Sequence, residues 1–151
     1  MEAISVFDML KIGVGPSSSH TLGPWRAALL FLQKLEHEAK LPSCDTILVE
    51  LYGSLALTGK GHGTDIAIMM GLCGKDPVTV PVEQVTKIPE AIQRNKQLFL
   101  AEKHWITFDP AIDIIMHTSE SLPTHANGMR LLAFRNNELL SQGTYYSIGG
   151  G

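Results

Sequence analysis

The sequence predicts an α+β fold in which helices pack on one face of a mainly antiparallel sheet. Helical periodicity dominates the first half of the chain, whereas short alternating segments joined as hairpins dominate the second half. When helices and strands are segregated along a chain in this way, the helices generally cover one side of an antiparallel sheet. A length of 151 residues suits a single domain, 1–151.

The composition excludes several classes of function. A net charge of −3 gives no electrostatic basis for binding nucleic acid. No uninterrupted apolar run approaches the roughly 20 residues that a membrane-spanning helix needs, so no membrane partner is expected. Glu2 and Asp8 stand where a secretory signal peptide would carry positive charge. We therefore expect a cytoplasmic protein.

A strongly amphipathic helix is predicted from about Leu22 to about Lys40. Apolar residues recur there at helical spacing, so they share one face of the helix. These residues are Leu22, Trp25, Ala28, Leu29, Leu32 and Leu35. Thr21 is the expected N-cap, and Pro24 is tolerated in the first turn because its missing N–H has no partner within the helix there.

A run of hydroxyl side chains and a histidine stands just before this helix. The run consists of Ser17, Ser18, Ser19, His20 and Thr21, and Gly-Pro pairs flank it. Free backbone N–H groups and the helix dipole favour an anion at such a place. The run therefore predicts a small pocket for a carboxylate or phosphate, although an ordinary capped helix after a polar loop explains the same residues.

A strand is predicted at Thr46–Tyr52, because apolar residues alternate with the others and one face would be buried. An apolar helix follows at Ile66–Cys73, and its all-round apolar surface indicates that it is buried. Thr64 is the expected cap of this helix, and Gly71 and Gly74 are expected to help close it.

The glycine-rich segment Gly53–Asp65 lies between that strand and that helix, and it holds Ser54, Lys60 and His62. It resembles a phosphate-binding P-loop only superficially. Five residues rather than four precede the Gly-Lys pair, and Gly61 stands where Ser or Thr would bind Mg²⁺. We therefore exclude nucleotide hydrolysis, and Lys60 fits a solvated surface lysine as well as a functional one.

The rest of the chain is predicted to form one more helical region and several strands. A helical turn is expected at Glu83–Lys87, and a separate helix is expected to start at Pro89 and end near Gln97. The predicted strands are Leu98–Leu100, Trp105–Phe108, Asp113–Ser119, Met129–Arg135 and Leu139–Tyr146, with a tight turn at Asn136-Asn137 between the last two.

A third polar segment, Leu122–Met129, contains His125 and Asn127, so each of the three polar segments carries a histidine. Loops that converge at the end of a sheet commonly form a site. The adjacent Ser19 and His20 do not suit a nucleophile–base pair, and no Gly-x-Ser-x-Gly elbow is present. No short zinc-ligand spacing occurs either.

Together, these segments resemble the β domain of the bacterial iron–sulfur-dependent L-serine dehydratases. The resemblance rests on Gly15–Thr21, Gly53–Asp65 and His125–Met129, in the family's order and across nearly the whole chain. The third segment departs from the family at Ala126, where proline is usual. The resemblance also implies the fold of the allosteric substrate-binding domain of some phosphoglycerate dehydrogenases.

The resemblance implies a two-part enzyme that converts L-serine to pyruvate and ammonia. An α part would carry a 4Fe-4S cluster that acts as Lewis acid on the serine hydroxyl, while a base removes the α-proton and the enamine product hydrolyses. Cys44 and Cys73 are too few to hold such a cluster by the usual thiolate ligation. The cluster is therefore expected on the α part, with no metal site on this chain.

The resemblance further implies roles for particular residues. Substrate binding would involve Ser17, Ser18, Ser19, His20, Thr21 and Ser54. Catalysis would involve Lys60, His62, His125 and Asn127, with the lysine or a histidine transferring the proton. The chain is expected to be a β subunit or an excised N-terminal domain, inactive alone, and to form a homodimer.

Two other functions fit the same residues. A regulatory domain would bind a small amino or hydroxy acid in the anion pocket and control a catalytic partner. A dimerisation domain would use the apolar positions of the amphipathic helix.

Overall fold

The computed structural model of the protein describes residues 21–58, 63–118 and 128–146, and it has the α+β arrangement that the sequence predicts. The helices in these ranges are α1 (Leu22–His37), α2 (Ser54–Thr58), α3 (Thr64–Leu72), α4 (Val82–Asn95) and α5 (Pro110–Asp113). The strands are β1 (Thr46–Tyr52), β2 (Gln97–Leu100), β3 (His104–Thr107), β4 (Ile114–His117), β5 (Gly128–Arg135) and β6 (Glu138–Tyr146). Among the described residues, no helix is both long enough and apolar enough to cross a membrane.

The main sheet has the strand order β4-β1-β5-β6. The pairs β1–β5 and β5–β6 are antiparallel, which confirms the mainly antiparallel sheet. The pair β1–β4 is parallel and was not foreseen. Strands β2 and β3 form the expected hairpin, but they make a separate two-stranded sheet.

The core lies between the helices and one face of the main sheet. Ile47, Val49 and Leu51 of β1 are fully buried on that face. They pack in one cluster with residues of α1, α3 and the β2–β3 hairpin. The residues between them, Leu48 and Glu50, are half-buried on the opposite face. The alternation in the sequence thus positions β1 correctly, because a strand's side chains point alternately to its two faces.

Helix α1 begins at Leu22 as predicted. Thr21 occupies the N-cap position, but its side chain makes no capping hydrogen bond. The backbone carbonyl of Thr21 instead accepts a hydrogen bond from the N–H of Trp25, at 3.0 Å. The helix ends at His37, three residues before the predicted end, because Ala39 adopts a left-handed conformation with φ of 58°.

Helix α3 is buried, as its all-round apolar surface predicts. The expected cap was wrong, since the N-cap is Gly63 with φ of 96°, and Thr64 is the first helical residue. Gly71 and Gly74 were expected to help close the helix, and this is confirmed: Gly74, with φ of 80°, follows the C-cap and donates its N–H to the Gly71 carbonyl at 2.9 Å. A Cβ atom on Gly71 would come within 2.6 Å of both the Ala28 Cβ and the Trp25 carbonyl oxygen of α1. The glycine therefore permits close approach of the two helices.

Helix α4 runs without a break from Val82 to Asn95 and contains Pro89. The expectation of a separate helix starting at Pro89 was therefore wrong. A proline inside a helix removes one backbone hydrogen bond. The Pro89 ring is buried on the same helix as the buried Ile92, so packing against the core favours a continuous helix here.

The predicted turn between the last two strands is confirmed. Asn136 and Asn137 have φ of 49° and 68°, and they connect β5 to β6. A two-residue hairpin turn of this type requires positive φ at both central residues. After glycine, asparagine is the residue that tolerates positive φ best.

Candidate functional site

Three strands of the main sheet end or begin at one edge. Strands β1 and β4 are parallel, and their last residues, Tyr52 and His117, are partners in the register. Strand β5 runs the other way, and Met129 near its start is the partner of Leu51. We call this edge of the sheet, marked by Tyr52, His117 and Met129, the loop edge. The segments after β1, after β4 and before β5 all leave from it.

A cavity of about 220 Å³ lies beside the loop edge. Its lining includes Gly23 and Pro24 of α1, Leu55 of α2, Met129 of β5 and Tyr145 of β6. The start of the first amphipathic helix is therefore close to the two strand ends from which the other polar segments leave. One described flank of each of the three polar segments thus lies near this cavity.

Two of the predicted substrate-binding residues lie within the described ranges. Thr21 is buried at the N-terminus of α1. Ser54 is half-buried and is the first residue of α2, so the segment after β1 begins as a short helix and not as the loop that the glycines indicated. Hydroxyl groups at both places stand close to helix N-termini.

The other predicted site residues lie outside the described residues. They are Ser17, Ser18, Ser19 and His20 before α1, Lys60 and His62 between α2 and α3, and His125 and Asn127 between β4 and β5. The structure places one described end of each of their segments near the first cavity, and the roles of the residues themselves stay predictions.

The segment that holds Lys60 and His62 ends beside β4. Gly63 caps α3, and the carboxylate of Asp65 accepts a hydrogen bond from the backbone N–H of Ile66 at 2.9 Å. Asp65 also lines a second cavity of about 260 Å³ together with Ile114 and Met116 of β4. One end of this segment therefore adjoins the first cavity through α2, and the other end adjoins β4.

Sequence reasoning missed Arg26 as a possible contributor to the site. Arg26 lies in the first turns of α1 and is the cationic residue among those that line the first cavity. A guanidinium group suits a carboxylate well, because its fork of donors matches the two carboxylate oxygens. The signal available in the sequence was its position four residues after Leu22, on the helix that follows the serine run.

Sequence reasoning also missed a polar cluster on the face of the sheet opposite the core. The His117 Nε2 atom lies 3.0 Å from the Glu50 Oε2 atom, and the Arg130 Nη1 atom lies 3.8 Å from Glu50 Oε1. The His117 ring stacks on the Tyr52 ring with centroids 4.5 Å apart and planes 7° apart. The Arg130 Cζ atom lies 5.8 Å from the centroid of the Tyr52 ring. We call these four residues the edge cluster.

Neither cysteine fits a metal or an iron–sulfur cluster. Cys44 and Cys73 are both buried free thiols. Loss of solvent on burial raises the pKa of each from the ordinary 9.0 to about 11, so both stay protonated near neutral pH. Thiolates and not thiols bind metals. Within the described ranges, no group of three or more His, Cys, Asp or Glu side chains is arranged to hold a metal ion.

The fold and the loop edge define a class of protein: an α+β domain whose polar segments begin and end at one edge of its sheet, beside a small cavity. Residues 5–151 match the family model described as serine dehydratase beta chain. The chain belongs to this family.

Close relatives support the same assignment. The chain is 48% identical over 149 residues to L-serine dehydratase TdcG of Escherichia coli (strain K12). It is 48% identical over 151 residues to an L-serine dehydratase of Streptomyces coelicolor and 42% identical over 152 residues to one of Helicobacter pylori. The three matches cover 98%, 99% and 100% of this chain, but only 33% of each relative. The chain therefore spans about a third of the length of these relatives.

Proposed function

We propose that this chain is the β part of an L-serine dehydratase, which converts L-serine to pyruvate and ammonia. The observation that carries the proposal is the match of nearly the whole chain to the family. The proximity of one flank of each of the three polar segments at the loop edge supports it. The relatives are about three times as long as the chain, so we propose that an α part, on the same or another polypeptide, completes the site.

The proposed reaction is an elimination followed by hydrolysis. A base takes the α-proton of L-serine, and the hydroxyl leaves with a proton as water, which gives 2-aminoacrylate. This enamine tautomerises to the imine, and water hydrolyses the imine to pyruvate and ammonia. The part of this work that falls to the present chain is binding the amino acid and moving the α-proton.

The substrate carboxylate is proposed to bind near the start of α1. Ser17, Ser18, Ser19, His20 and Thr21 supply hydroxyl and imidazole donors there, and Ser54 supplies another hydroxyl at the start of α2. The free N–H groups and the dipole of α1, which is 16 residues long, add attraction for an anion. Arg26 lines the neighbouring cavity and strengthens the positive potential.

Proton transfer is proposed for Lys60, His62 or His125, with Asn127 as a hydrogen-bonding partner of the substrate. A general base must reach the α-proton within hydrogen-bond distance and must be neutral when it accepts the proton. A histidine meets the second condition near neutral pH, whereas a lysine meets it only if burial or a neighbouring cation lowers its pKa.

The 4Fe-4S cluster is proposed to reside on the α part, where it would serve as Lewis acid for the serine hydroxyl. The chain has only two cysteines, Cys44 and Cys73, and both are buried, which supports this division of roles. The residues of the present chain would bind, orient and deprotonate the substrate beside it.

Two substitutions in the complete two-part enzyme test the proposal. Lys60→Ala and His125→Ala are expected to lower serine turnover by about a hundredfold or more if the side chains transfer a proton. Matched controls are Lys103→Ala and His37→Ala, which alter exposed residues of the same types away from the loop edge. Cluster content is followed by absorbance, so that loss of the cluster is separated from loss of chemistry.

The same variants distinguish the regulatory alternative. If Lys60→Ala and His125→Ala keep near-normal turnover with the cluster bound but lose activation by serine, the chain is a regulatory domain. If all four variants behave alike, the proposed site is wrong.

A further inference from the structure

We infer that the edge cluster of Glu50, Tyr52, His117 and Arg130 positions the proposed active-site segments at the loop edge. The inference rests on the proposed function, because it concerns how that site is held. These are positioning residues, which act through the chain segments that follow them and not by touching the substrate.

The cluster joins three strands at the loop edge, from which the proposed active-site segments leave. Glu50 and Tyr52 belong to β1, His117 to β4 and Arg130 to β5. In the register, Tyr52 is the partner of His117 and Glu50 is the partner of Arg130, so the four side chains share one face of the sheet. Their contacts therefore link β1 to both of its neighbouring strands, β4 and β5, at the loop edge.

The contacts are placed where the segments leave. Tyr52 directly precedes the glycine-rich segment Gly53–Asp65. His117 lies five residues before the third polar segment, Leu122–Met129, and Arg130 directly follows that segment. A change in where any of these residues is held would move the start or the end of a segment that we propose to be catalytic.

The parallel pair β1–β4 depends on such an anchor. The register joins only four residues of each strand, and His117 is the last of them. The ends of short strands open readily unless side chains secure them. The ring stack on Tyr52 and the hydrogen bond to Glu50 provide two independent attachments of His117 to β1.

The shielding of the cluster makes the attachment effective. The side chains of Glu50 and His117 are 17% and 24% exposed. Charge-assisted hydrogen bonds that are partly shielded from water are stronger than those on an open surface. The hydrogen bond to Glu50 also requires the proton of a neutral His117 ring to reside on Nε2.

The inference is tested in the complete two-part enzyme by two substitutions of His117, each of which removes one of its two attachments and keeps the other. His117→Phe keeps a ring to stack on Tyr52 and removes the hydrogen bond to Glu50, whereas His117→Gln keeps a donor and removes the ring. The matched control is His104→Phe. The His104 Nε2 atom lies 2.8 Å from the Cys44 carbonyl oxygen, two residues before β1 and thus at the opposite end of that strand.

We expect His117→Phe to lower kcat for L-serine by roughly tenfold or more, with a much smaller change in KM, because misplacement of catalytic groups weakens the chemical step. His117→Gln is expected to recover part of that loss. His104→Phe is expected to keep kcat within about twofold, as for a substitution remote from a site. The inference is overturned if His117→Phe keeps kcat within twofold of the wild-type value. It is also overturned if His117→Phe and His104→Phe lower the melting temperature equally and His117→Phe loses no more kcat than His104→Phe.

A second measurement does not depend on turnover. Amide hydrogen exchange over 53–63 and 118–128 is expected to be faster in His117→Phe than in His104→Phe. Equal exchange rates in the two variants would also overturn the inference. If exchange is faster in His117→Phe but the wild-type enzyme does not act on L-serine, the proposed function is wrong and the positioning role of the edge cluster stands.

Discussion

Gly71 determines how closely α1 and α3 can approach. Alanine normally stabilises a helix interior by about 0.5–1 kcal/mol relative to glycine. At this position an added Cβ would lie 2.6 Å from two atoms of α1, one of them a backbone carbonyl oxygen of Trp25 that cannot rotate away. The contact therefore outweighs the gain in helix propensity.

We expect Gly71→Ala to lower the free energy of unfolding by about 1–3 kcal/mol, measured by urea denaturation. The control is Gly143→Ala, where the added Cβ would meet the side chain of Tyr145 at 2.7 Å. A side chain can move away more easily than a backbone, so this variant is expected to lose less. Equal losses would show that helix packing does not depend on Gly71.

At the residue scale, the sequence predicts which residues can take part in a site better than it predicts which side chains contact one another. The polar segments that carry His20, Lys60 and His125 are visible as strings of residues, and they led to the correct family. The contact between Glu50 and His117 joins side chains on two strands that are separated by more than sixty residues. It depends on the register of β1 and β4, and no local pattern reveals that register.

At the element scale, the β5–β6 hairpin offers the clearest test. Asn137 has φ of 68°, a conformation that costs a β-branched residue roughly 1–2 kcal/mol. We expect Asn137→Val to lower the free energy of unfolding by about this amount. Asn137→Gly is the control and is expected to keep the wild-type value or exceed it, since glycine adopts positive φ freely. Equal values for the two variants would contradict the assigned turn.

The elements that the sequence predicts well are those whose signal is local. The start of α1, the bounds of β1 and the Asn136-Asn137 turn follow from periodicity and turn chemistry. Pro89 misled the prediction because the usual rule places proline at the start of a helix, whereas burial of its ring in α4 prevails here. The parallel pairing of β4 with β1 was missed because its cause is the packing of the whole chain.

At the scale of the whole molecule, the proposed division of the site between two parts has a direct test. We expect the purified chain alone to form no pyruvate from L-serine above a buffer blank. Addition of a separately expressed α part is expected to produce turnover that saturates with the amount of that part. The measurement is a coupled pyruvate assay. Turnover by the chain alone would contradict the division of the site between two parts.

The central position of β1 has a consequence for synthesis of the protein. Its two neighbours, β4 and β5, begin at Ile114 and Gly128, long after β1 itself ends at Tyr52. While a ribosome makes the chain, β1 therefore emerges with both backbone edges unpaired, and neither partner strand is made until Ile114 is reached. Contacts between such distant parts form slowly, and nascent chains in this state are prone to aggregate. The strand order thus leaves β1 open to such association until β4 and β5 are made.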